Sequence, residues 1–437
     1  MSPINADTNK VWRLAWRYGG LSLKNVFWLV LGILLLGRSS LAPANATEQV
    51  RAFTRNIEFN FITWTLDALG VKISQAALGA QDYLDTKSQH DLVMGYLKWI
   101  GQTEQLNYQI NSIYADPNEK DPQTKSTGQR QQLADLNAQI DQIAPLVEAV
   151  VQSQVAQAAA QQGLTIGGVP PPPVMYHITD LPLALIVSPR AKIKQDQDIS
   201  LQAGMTAADE DALEKQVEAK LNVSALVVEI GGIGIYPDMV ERTSDLNWMV
   251  ETVAHEWTHN FLTLRPLGLN YDTTNDLRTM NETTASLVGR ELGSAVVKQY
   301  YPEKVPPPPP AVTTPAAPTQ PAQIQPFNFA MEMHETRVTV DRLLAEKRIQ
   351  DAEDYMEERR QLFVDQGYVI RRLNQAYFAF YGAYNDVSPG GNATGQAGQD
   401  PVGPAVAALR QKSGSLATFL NRISWMSSFA QLRKAVQ

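Results

Sequence analysis

The chain has 437 residues, 44% hydrophobic and 19% charged, the balance of a folded protein with room for two or three domains. Its net charge is −8, with no basic block, which argues against nucleic acid as a partner. It has no Cys, so disulfides, thiolate metal sites and a Cys nucleophile are excluded.

Residues 1–46 read as a signal or anchor segment. Lys10, Arg13, Arg17 and Lys24 precede an apolar run that reaches Gly37, and Arg38 closes it. Taken from about 21 to 38, the run is marginal in length for a span, and a single-pass helix is expected there. Ala44-Asn45-Ala46 is an A-x-A pattern, so cleavage near Ala46 and secretion is the alternative. Either way the positive-inside rule places the rest outside the cytoplasm.

Residues 47–165 read as a helical region. Val50, Phe53, Ile57, Phe61 and Trp64 recur at helical spacing within 47–85. The stripe suits a core, with the membrane interface as the alternative so close to an anchor. A second helix is expected over 88–115 and a third up to about Gln162, the two pairing as a hairpin. Leu133, Leu136, Ile140, Ile143, Val147 and Val150 form a short coiled-coil seam in the third. Pro145 is expected to kink or restart it. Gly163 to Pro173 is a Pro-rich boundary.

Residues 174–304 change pattern. Leu183–Val187, Ile199–Leu201 and Ser224–Ile230 read as strands, and Asp209–Leu221 as a helix. Gly231-Gly232-Ile233-Gly234 follows the last strand and permits close backbone approach. No Lys stands in the Walker position, so it is weak as a phosphate loop.

Next comes His255-Glu256-Trp257-Thr258-His259. Two His at i and i+4 share one helix face, so both imidazoles can reach one metal ion. Glu256 lies about 100° round the helix from His255. It is beside the metal without being a ligand, where a general base for a metal-bound water belongs. Thr243 or Ser244 is expected to cap this helix, with Asp245 at the positive end of its dipole. Its nearly continuous apolar wrap predicts burial. Buried His and Glu need partners, and a zinc ion would satisfy them.

A hydrolytic zinc takes three protein ligands. Leu262 and Arg265 occupy the positions of the extended H-E-x-x-H-x-x-G-x-x-H pattern, so the third ligand lies downstream. Glu282, expected to open the next helix, is the first candidate, with Glu291 second and Asp272 and Asp276 weaker. A helix-start Glu is also favoured by the dipole alone.

HEWTH followed by NETTA resembles the gluzincin, thermolysin-like zinc metallopeptidases over about residues 220 to 300. The resemblance implies zinc on His255, His259 and Glu282, with Glu256 as base. It implies a zincin-like core and a peptide or protein substrate. The chain lacks the G-A-M-E-N element of the aminopeptidase branch. Tyr or His donors to the oxyanion in that family direct attention to His334 and to Tyr377, Tyr381 and Tyr384, with a structural His and a core stripe as the alternative reading.

Residues 305–326 are a Pro-rich linker, with five consecutive Pro at 306–310. Residues 327–437 return to helix, with expected helices at 331–346 and 351–366. A Gly/Pro-rich loop follows at 388–404, then terminal helices. The expected fold is mainly α with a small β-sheet (α+β), carrying a membrane-anchored zinc metallopeptidase. The alternative is a membrane-tethered helical scaffold with a structural or degenerate metal site, binding a partner through the 88–162 hairpin.

Overall fold

Residues 28, 45–115, 120–271, 273–307, 327–368, 370–382 and 401–437 are described by a computed structural model. With 66% helix and 9% strand, the chain is mainly helical with small sheets, an α+β arrangement. It divides into a short N-terminal unit, Met1–Ala52, and a large one, Phe53–Gln437. The expected span at 21–38 lies outside the described residues except for Trp28. Among the described residues no helix is long and apolar enough to cross a membrane.

The stretch expected as one helix over 47–85 is two. Helix α1 is Ala46–Thr54 and α2 is Phe61–Leu78. Between them Glu58 makes an isolated bridge to Leu201, and the Phe59 amide donates to the Ser200 carbonyl at 3.0 Å. The Asn60 side chain then accepts from the Thr63 amide at 3.1 Å and starts α2 afresh. A side-chain cap of this kind competes with helix continuation.

Helices α3 (Thr86–Ala115) and α4 (Thr127–Gln161) pack on each other. Helix α4 runs through Pro145 without restarting. Proline there removes the bond to the Asp141 carbonyl, and Asp141 is exposed, so water can take it.

The strands form two three-stranded sheets. In one, β2 (Leu183–Pro189) lies between β3 (Gln197–Leu201) and β4 (Val223–Val228), all antiparallel. Leu185 stands opposite Ile199 on one side and Val227 on the other. Every residue from Leu183 to Ser188 is buried, which explains the unbroken apolar run of this central strand. In the other sheet β6 (Asp238–Val240) pairs in parallel with β1 (Tyr176–Ile178) and antiparallel with β5 (Gly232–Ile233). Helix α5 (Ala207–Leu221) precedes β4, with a Thr206–Asp209 capping box at its start.

Helices α6 (Leu246–Thr263) and α7 (Asn275–Tyr300) form the most extensive pair. A methyl at Gly289 would stand 2.9 Å from the Glu251 carbonyl oxygen, and one at Gly293 would stand 3.1 Å from the Glu251 Cα. The two helices approach this closely because α7 presents no side chain at those points. Around them, α3, α4 and three C-terminal helices bury one core: α11 (Val402–Lys412), α12 (Leu416–Ile423) and α13 (Phe429–Val436). A second core lies between the β2–β4 sheet and α8 (Phe329–Ala345), α9 (Ile349–Asp365) and α10 (Gln375–Tyr381).

Candidate metal centre

Helix α6 is capped by Asp245, whose side chain accepts from the Trp248 amide at 3.2 Å. Asp245 therefore serves as the cap expected of Thr243 or Ser244. Met249, Val250, Val253, Trp257, Phe261 and Leu262 are buried, and Trp257 Nε1 donates to the Pro172 carbonyl at 2.8 Å. Fixing this apolar face fixes where the remaining face points. His255 and His259 stand one turn apart with their Nε2 atoms 3.1 Å from each other.

Helix α7 starts earlier than expected. Thr274 caps it, accepting from the Leu277 amide at 3.2 Å. Glu282 is thus two turns inside, beyond the reach of the helix-start dipole. Its Oε2 lies 3.6 Å from His255 Nε2 and 3.7 Å from His259 Nε2. Two helices therefore bring two imidazole nitrogens and one carboxylate oxygen together. A second set shares the histidines: His255, Glu256 and His259 offer ligand atoms within 4.8 Å of one another. In the set with Glu282 no two of the three ligand atoms are more than 3.7 Å apart, so that set is complete without Glu256.

Glu256 is buried beneath β5. A methyl at Gly232 would land on its carboxylate, and one at Gly234 would stand 2.8 Å from the His259 Cβ. Only glycine allows the strand this close to the helix. Burial pushes the Glu256 carboxyl up to about 7, against the pull of His259 and with an added push from Glu282. Burial acts on Glu282 in the same direction, but His259, His255 and the Tyr271 hydroxyl outweigh it and hold this carboxyl at about 2. A third acid, Asp238 on β6, is fully buried. Its Oδ2 has no partner among the described residues, and its other oxygen accepts from Asn260 Nδ2. Burial raises its pKa well above the usual range, and the charge of Glu256 adds to that, against the Asn260 bond.

Two residues that the sequence did not single out orient this set. Asn281 Oδ1 lies 2.9 Å from His259 Nδ1. An amide oxygen only accepts, so Nδ1 carries the proton and Nε2 keeps its lone pair toward the cluster. The Tyr271 hydroxyl donates to Glu282 Oε1. Asn281 adjoins Glu282 and was visible in Asn281-Glu282-Thr283. Tyr271 sits in a loop, and no spacing rule points to it.

The other candidates lie elsewhere. Glu291 is held by Arg410 at 2.6 and 2.8 Å, so it is a structural ion-pair member. Asp276 is exposed in the first turn of α7, and Asp272 lies outside the described residues. His334 is half-buried on α8 and does not belong to the cluster. Tyr377 is buried in the second core, its ring 4.5 Å from that of Tyr381. Tyr384 lies outside the described residues.

The residues fit a divalent transition ion. Two nitrogens and one carboxylate oxygen are a three-ligand donor set for zinc. The side chains of His255 and His259 keep 20% and 17% exposure, so one direction stays open for a fourth ligand. Compared with known proteins, the chain matches no family model, and no curated protein or solved structure shows significant similarity to it.

Proposed function

We propose that this chain is a zinc-dependent peptide hydrolase with a gluzincin-like centre. The observation that carries the reading is the convergence of His255, His259 and Glu282 from two helices, with Glu256 beside them and outside the set. His255 and His259 would hold zinc through Nε2, and Glu282 through Oε2. Zinc bound there would supply Lewis acidity, polarising a carbonyl and making water a better nucleophile near neutral pH.

The chain's own residues do the rest. Asn281 and Tyr271 hold His259 and Glu282 in orientation. Glu256 takes the proton of the attacking water on its carboxylate and returns it to the departing amine nitrogen. Strand β5 is the edge of its sheet and lies against Glu256, so an extended peptide could add to it through main-chain hydrogen bonds. Glu256→Gln tests the role of the base. Turnover of a peptide library should fall by about 10²–10⁴, while zinc content measured by mass spectrometry stays at one per chain. Retained hydrolysis, or a pure wild-type chain without stoichiometric zinc, would overturn the assignment.

A further inference from the structure

Helix α2 is turned inside out relative to an ordinary surface helix. Its lysine points inward: Lys72 is buried, with Nζ 2.6 Å from Glu148 Oε2. Gln75 Nε2 also faces inward, donating to the Pro145 carbonyl at 2.7 Å, and Trp64 Nε1 donates to Thr179 at 3.2 Å. Its large aliphatic residues point outward. Ile62, Leu66, Ile73 and Leu78 are 76%, 65%, 68% and 73% exposed. Ile62, Leu66 and Ile73, with half-buried Leu69, fall on one face at spacings of three and four, and Leu78 is exposed off that face at the helix end. Tyr83, just beyond the helix, is 88% exposed. Asp67 is the one charge on the outward side.

We infer that this face of α2 lies on a lipid bilayer, as a second contact beside the N-terminal apolar segment. The inference rests on the anchor reading of residues 21–38 and not on the zinc reading. Phe61 follows Arg38 by 23 residues, nine of them in α1. That connection reaches at most about 60 Å, a tether short enough for α2 to reach the surface of a bilayer that holds 21–38. A helix of 18 residues is about 27 Å long and offers a face of a few hundred Å². A stable protein interface needs about 800 Å² per partner, so this face alone is too small for a second copy. A bilayer sets no such minimum, because one weak contact suffices as the second of two membrane signals. An exposed Tyr at the end of an apolar face is the residue type enriched at membrane–water boundaries.

The absence of Cys makes the test clean. Leu66→Cys gives the full chain a single site for an environment-sensitive fluorophore, and Ile73→Cys repeats the measurement one face-length on. Tyr108→Cys on α3, 74% exposed, is the control. The labelled chains are reconstituted with vesicles of phosphatidylcholine and phosphatidylglycerol. The expected result is a blue-shifted emission at 66 and 73, quenched several-fold more by a bilayer-resident nitroxide lipid than the label at 108. Labels that stay in water while the chain floats with the vesicles would overturn the proposal and leave the anchor standing. Failure of the chain to float would overturn both. A shift that follows protein concentration without lipid would replace the bilayer with a protein partner.

Discussion

Glu214 on α5 and Glu256 on α6 are both buried carboxylates in opposite surroundings. Glu214 receives Arg371 and Arg372 at 2.6 and 2.7 Å and the Val227 amide at 2.7 Å. Glu210, Asp211 and Glu218 complete the network around the same two arginines. Each of these four carboxylates contacts a guanidinium. Near Glu256 three buried acids, Asp238, Glu256 and Glu282, meet two imidazoles, a phenol and amides. Unmatched buried charge is costly, and a cation between the imidazoles would relieve it. The pairing around Glu214 is a finished structural device, whereas the α6–α7 cluster is short of positive charge.

The largest expected effect tests the matched side of this contrast. Arg371→Ala combined with Arg372→Ala strands Glu214 and should cost about 3–5 kcal/mol in denaturant unfolding. A loss under about 1 kcal/mol would mean that the network is not what holds α5 to the 371–374 segment. On the open side, Gly232→Ala forces the Glu256 carboxylate aside. Turnover should drop about 100-fold with zinc content unchanged, and equal losses of both would instead point to general misfolding. Asn281→Ala should weaken zinc about 10–100-fold in chelator competition.

The smallest effect concerns Asp238. Its folded pKa lies above the unfolded value, near 3.9, so it contributes most below that value and its contribution is lost as pH rises. Metal-free Asp238→Asn should match the parent chain near pH 4. At pH 7 it should be more stable than the parent in denaturant unfolding, and the gap should close as pH falls toward 4. A variant less stable than the parent at pH 7 would show that the Asp238 carboxylate is compensated in the folded chain.

Strong local signals were legible in the sequence. The apolar wrap and the i, i+4 histidines of α6 announced a buried helix with a polar pair, and the Leu183–Val187 run announced a strand. What was hidden depends on segments distant along the chain. Strands β1 and β6 have three residues each and pair across some sixty residues, too short for any period to register. The break before α2 comes from pairing with β3, and a helical stripe cannot report it. The outward face of α2 was missed for a related reason. Periodicity finds the apolar side of a helix, but which side faces inward is decided by Glu148, a residue on another helix. Glu291 and Glu282 lie on one helix, and their neighbours separate their fates: Arg410 for the first, His255, His259 and Tyr271 for the second.

The wall over Glu256 is made of main chain. At Gly231, Gly232 and Gly234 every substitution adds atoms, and the space they would enter is held by Trp248, Glu256 and His259. Substitution at these three positions can therefore narrow the gap between strand and helix but not widen it. A variant with a roomier recess must gain it from the helix side, as by shortening Trp248, which fills the space over Gly231.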